Sequence, residues 1–174
     1  MATSSAKARK SAPGKASTDA IALLTNDHKE VKALFKQYDQ LVEGASGGDD
    51  ERQALAEQIC QMLSVHATIE EELFYPAARE ALGDDEDLVD EADVEHASAK
   101  ELIAQIEGSS PQDDHYDAMV KVLGEYINHH VREEEGEMFP KLKRTELDTA
   151  TLGADLAARK ERLTAELSGH ATQT

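Results

Sequence analysis

The sequence predicts an all-α fold: an antiparallel up-down-up-down four-helix bundle with an additional C-terminal helix. Three observations lead there. Apolar residues recur at alternating spacings of three and four through four long stretches, the mark of one buried helix face. Short segments rich in Gly, Pro and Asp separate the stretches, which suits antiparallel neighbours joined by tight connections. No stretch alternates apolar and polar residues with the period of two that a half-buried strand shows.

The first stripe runs Ile21, Leu24, His28, Val31, Phe35, Tyr38 and Val42, and stops at Gly44 and the segment GASGGDD. The second begins near Asp50, a residue able to cap a helix N-terminus. It reads Leu55, Ile59, Met62, His66, Ile69 with Glu70, Leu73 and Ala77, and ends at Gly83. Pro76 lies within it and is expected to kink or break the last turns. The third, from about Asp85 to Glu107, carries Val89, Ala92, His96, Ala99, Ile103 and Ile106. Gly108 to Pro111 breaks it. The fourth, from about Asp113 to Lys143, carries Tyr116, Met119, Leu123, Tyr126, His130 and Glu134. A last stretch with Leu152, Leu156, Leu163 and Leu167 is expected to dock on the bundle as a lid.

The expected organisation is a disordered basic tail over 1–18, a bundle over 19–144, a C-terminal helix over 145–168 and a short tail over 169–174. The first 18 residues hold four basic and no acidic side chains, with little to bury. Over the whole chain 36 acidic residues face 18 basic ones, for a formal charge of −18. That balance argues against nucleic acid or an anionic membrane surface as partner. No run of about eighteen apolar residues exists to span a bilayer. A single cysteine, Cys60, excludes an internal disulfide framework and a cysteine-rich zinc site. It fits a reducing, cytoplasmic setting.

The anomaly is polar residues inside apolar stripes. His28, His66, His96 and His130 each take a slot where Leu or Ile would be ordinary. Glu70 and Glu134 follow His66 and His130 by four residues, a step of about 6 Å along one helix face. Burying six such groups is costly unless each finds a partner. The stripes contain no Lys or Arg to balance the carboxylates, and metal cations would. Depth agrees. The sequence midpoint of His28 and His66 is 47, that of His96 and His130 is 113, and that of Glu70 and His96 is 83, each at or beside a connection. All four helices therefore deliver their polar residues to one layer.

The halves repeat. HATIEEELFYP from His66 matches HVREEEGEMFP from His130, with Glu at the fourth and fifth following positions and Pro at the tenth. HKEVKALF from His28 matches HASAKELI from His96. A duplicated helical hairpin gives a pseudo-two-fold site, which suits two ions. Two imidazoles per ion with shared carboxylates suit iron or manganese, while imidazole alone would tolerate zinc, copper or nickel. An ion pair about 3.5–4 Å apart lets one small oxygen species bridge both. A ferritin-like site would use Glu-x-x-His motifs, and only Asp93-x-x-His96 approaches one.

This constellation resembles the hemerythrin-like family with its HHE cation-binding repeat. The resemblance covers about residues 19–143 and rests on D-H-K-E-V around His28, the two H-x-x-x-E motifs that end in F-Y-P and M-F-P, and the E-H at His96. It implies a non-haem di-iron centre, oxo- or hydroxo-bridged, with His28, His66, Glu70, His96, His130 and Glu134 as ligands and O2, NO or peroxide as the small-molecule partner. Members are variously linked to oxygen or NO sensing, iron handling, repair of iron centres and peroxide decomposition. A sensing role implies an unidentified protein partner. Oxygen-carrying members have a second His four residues after the third-helix His, where this sequence has Lys100. Five-His ligation would then need His129 or His115. Tyr126, one turn before His130, is a candidate donor or a packed core residue. Glu71, Glu133 and Glu135 read as helix surface, with one of them a candidate extra carboxylate, and Cys60 as inert packing.

Overall fold

The structure, a computed structural model, describes residues 19–44 and 48–170. The basic tail expected over 1–18, residues 45–47 of the first connection and the last four residues lie outside the described residues. Helix α1 spans Ala20–Glu43, and the Asp19 carboxylate accepts from the Ile21 and Ala22 N–H groups. Helix α2 spans Asp49–Ile69. Its N-cap is Gly48 rather than Asp50, and Asp49, Asp50 and Glu51 in its first turn complement the helix dipole. Helix α3 (Tyr75–Leu82) continues it and ends at Gly83, whose φ of 57° suits glycine. Helix α4 spans Asp87–Glu107 and α5 spans Tyr116–Glu133. Helix α6 (Phe139–Leu142) continues α5, and α7 spans Thr149–His170. Among the described residues there is no strand.

Four rods form a closed ring in which α1 packs on α2, α2 on α4, α4 on α5 and α5 on α1. Helix α7 lies against α1 and α2, with Leu156 fully buried. This is the expected bundle with its extra helix. The far end is tied by polar bonds. Tyr38 donates to Asp117 at 2.6 Å, and Arg52 donates to the same carboxylate at 2.6 Å.

Two π turns interrupt the rods, at Glu70–Phe74 and Glu134–Met138. In each, the N–H five residues on reaches back to the glutamate carbonyl: Tyr75 to Glu70 and Phe139 to Glu134. Pro76 and Pro140 follow, in the first turns of α3 and α6. A proline in a regular helix clashes with the preceding turn and lacks a donor. The wide turn takes up this misfit, so Pro76 does not break the rod. The extra residue also shifts the buried face. Phe74, Tyr75 and Ala78 are buried, in place of the expected Leu73 and Ala77.

The third stripe is buried as expected throughout. In α5 the buried face is Tyr116, Val120, Leu123, Ile127 and His130. Tyr126 is 49% exposed, so neither of its expected roles holds. The apolar residues form two clusters. One contains Val31, Leu63, Ala99 and Ile127, and the other contains Leu24, Ile69, Ala92 and Met138. Between them, at the level of the π turns, lies a polar layer.

Candidate metal centre

That layer holds all six polar residues singled out in the stripes. His28, His66, Glu70, His96, His130 and Glu134 are all buried. The imidazole Nε2 atoms face one another and the two carboxylates. His66 Nε2 lies 3.2 Å from Glu70 Oε1, and His96 Nε2 lies 3.3 Å from Glu70 Oε2. His28 Nε2 lies 3.2 Å and His130 Nε2 3.5 Å from Glu134 Oε2. His96 and His130 bring their Nε2 atoms to 3.2 Å. Two groups of metal-competent atoms result, each within 4.8 Å: His28, His66, Glu70 and Glu134, and Glu70, His96 and His130. Glu70 belongs to both.

Each imidazole is held from behind by a carboxylate on Nδ1. Asp27 lies 3.3 Å from His66, Glu135 2.9 Å from His28, Glu71 3.0 Å from His96 and Glu95 2.7 Å from His130. Such a partner fixes the tautomer and the ring angle, leaving Nε2 free to bind inward. Glu71 and Glu135, read as helix surface or as an extra carboxylate, thus stand on the outer nitrogens of His96 and His28. These contacts obey the repeat. Glu71 and Glu135 each follow the inward glutamate by one residue, and Asp27 and Glu95 each precede a histidine by one. The matched acids beside matched histidines were the available signal. They could not be assigned from sequence because each bond crosses between helices.

The charges are strongly coupled. Burial opposes protonation of His66, yet the Glu70 charge and the Asp27 bond outweigh it and push its pKa up to about 10. Burial likewise opposes His130, and Glu134 with Glu95 raises it to about 9. Burial would raise the Glu70 pKa, but His66 and His96 hold it well below the usual carboxylate range. Protons on His66 and His130 thus offset buried carboxylate charge in the metal-free layer, and cations would displace them.

Tyr75 was not anticipated. Its buried hydroxyl donates to Glu134 Oε1 at 3.0 Å and lies 3.2 Å from His96 Nε2. Burial, then the Glu134 and Glu70 charges, push its pKa well above 10, so it keeps its proton. The other half of the repeat has Phe139 at this position, stacked on His28 at 5.9 Å.

The Hemerythrin HHE cation binding domain family matches residues 19–142, a span that contains the whole polar layer. The chain belongs to this family. A crystal structure of a hemerythrin HHE cation binding domain-containing protein from Mycobacterium kansasii has the same fold, with a TM-score of 0.72 and 22% identity over 90% of this chain and 93% of that one. A protein named DNA nickase from Nostoc sp. is 30% identical over 150 residues, 84% of this chain. The chain spans 40% of that relative's length.

Within this HHE domain the substitutes for a fifth histidine do not reach the centre. His129 is 61% exposed and lies near Glu95 and Glu133 at 3.3 and 3.1 Å. His115 is the exposed N-cap residue of α5. Lys100 extends to Glu71, the partner of His96. Cys60 is buried, and burial pushes its thiol up to about 12. No helix among the described residues is long and apolar enough to cross a membrane.

Proposed function

We propose that the chain carries a non-haem di-iron centre and binds a small oxidant or gas (O2, NO or peroxide) at it. Five buried atoms support this reading: His28 Nε2, His66 Nε2, both Glu70 oxygens and Glu134 Oε2 have no hydrogen-bond partner among the described residues. A self-contained polar network would satisfy such atoms. A cation pair uses their lone pairs. His28, His66 and Glu134 would hold one ion and His96 and His130 the other, with Glu70 within reach of both groups. Imidazole with carboxylate suits iron or manganese, and imidazole also accepts zinc; the HHE resemblance favours iron among them. When bound, such a pair supplies redox chemistry and open positions for a small ligand.

The protein supplies orientation and dryness. The Nδ1 carboxylates aim the rings. A cavity of about 30 Å³ opens beside His28, His66, His96 and His130, walled by Val31, Leu63, Ile103, Ile127 and Val131. It has room for one or two molecules of water size, and its apolar walls favour O2 or NO. Tyr75 favours a second reading, decomposition of peroxide, because its neutral hydroxyl, which donates to Glu134, sets a hydrogen-bonding group 3.2 Å from His96 inside the layer.

Protein purified without added metal should contain close to two iron ions per chain. The di-ferrous protein, mixed with O2, NO and H2O2 in stopped flow, separates the readings. Stable adducts support binding, and many turnovers of peroxide support the second reading. Zinc alone, or only traces of metal, rejects both.

A further inference from the structure

The polar layer is built twice, but α7 covers one half. In the repeat His66 corresponds to His130, Glu70 to Glu134 and Asp27 to Glu95. Helix α7 packs on α1, α2 and the first π turn. It brings two adjacent cations there, about 100° apart around the helix. Arg159 donates from Nε and Nη2 to Glu72 at 2.7 and 3.0 Å. Glu72 lies in the π turn, two residues beyond Glu70. Lys160 donates to Asp27 Oδ1, and Asp27 Oδ2 faces His66 Nδ1.

The two halves differ in what backs their carboxylates. Asp27 is 2% exposed, so its charge depends on Lys160 and His66. Its counterpart Glu95 is partly exposed and is also approached by the exposed His129. Lys100 pairs with Glu71 behind His96, but both face solvent, as does Glu72 in its pair with Arg159, and exposed pairs contribute little, so the difference between the halves rests chiefly on Lys160 and Asp27. A buried carboxylate that loses its cation is strongly destabilised, and a displaced Nδ1 partner weakens metal binding by about 10–100-fold.

We propose that α7 is a positioning element for the metal pair: Lys160 through Asp27, and Arg159 through Glu72, hold His66 and Glu70 in place, so that the ion at His28 and His66 is released more slowly than the ion at His96 and His130. This rests on the di-metal reading of the centre.

The test is iron release from the loaded full chain to an excess of chelator. Wild type should release iron in two phases. Lys160→Met with Arg159→Gln should speed the slow phase by about 10–100-fold and leave the fast phase unchanged. Lys160→Arg should restore the slow phase. Arg159→Gln alone, which breaks an exposed pair, keeps α7 docked and should speed the slow phase by a smaller factor. Lys141→Met, which breaks the surface pair with Asp85, should change neither phase. In the cobalt-loaded protein the hyperfine-shifted His66 N–H resonance should move in Lys160→Met. Equal acceleration of both phases, or wild-type release from the double variant, overturns the proposal alone. Wild type that binds no metal overturns the reading of the centre as well.

Discussion

The Tyr75 hydroxyl donates to Glu134 across 3.0 Å, joining the start of α3 in one repeat to the inward carboxylate of the other. The matching residue, Phe139, has no such group. The centre is therefore chemically lopsided although its sequence is duplicated. Tyr75→Phe removes the donor and leaves Glu134 Oε1 without it, at a cost of about 1–3 kcal/mol. The variant should keep its iron, melt lower than wild type, and turn over peroxide more slowly. Melting curves and peroxide assays on iron-matched samples check this. Unchanged peroxide kinetics would remove Tyr75 from the chemistry.

Glu70 lies in both groups of metal-competent atoms, and His130 in one. Glu70→Ala should abolish binding of both ions, whereas His130→Ala should keep about half the metal. His66→Ala and Glu134→Ala should each cut bound iron sharply. Metal analysis after desalting decides it. Near-stoichiometric iron in these variants would reject the ligand assignment.

Removal of metal should make the fold sensitive to alkali. Folded-state pKa values of about 10 for His66 and about 9 for His130 exceed the unfolded value near 6.5. Between those values the folded state holds more protons, so unfolding free energy falls as pH rises. The contribution is complete below about pH 6.5 and lost by about pH 10. The Cys60 thiol, pushed up to about 12, acts in the same direction at higher pH. Glu70, held below the usual range, adds stability that is lost as acid protonates it. Thermal melts of the metal-free protein should therefore peak at mildly acidic pH, between about 4.5 and 6.5, and decline from there toward pH 10. Melts that rise over that interval would contradict the charge pattern.

Gly124 on α5 faces Phe35 on α1, and a Cβ there would come 3.1 Å from the ring. Gly124→Leu forces the two helices apart beside the centre. The expected loss is on the order of 2 kcal/mol, read as a lower melting temperature with the six residues of the polar layer untouched. A melting temperature at or above that of wild type would show that the ring has room to yield.

Much of this was legible along the chain. The third stripe is buried residue for residue, because α4 is regular from end to end and periodicity is all its face requires. The second stripe fails after Glu70, because a π turn adds a residue that no apolar pattern announces. Tyr126 was placed inward from its spacing to His130, but Val120 and Ile127 hold that face. His129, about 100° around the helix from His130, lies on the surface as that angle implies.

The chain alone determined the bundle and the common depth of four histidines and two glutamates, because helix pitch and connection length convert spacing into height. Tertiary structure decided which carboxylate stands behind which imidazole, that Tyr75 reaches across to Glu134, and that α7 delivers Lys160 to Asp27. Those contacts join residues far apart in sequence, and their geometry depends on how the rods pack rather than on any local period.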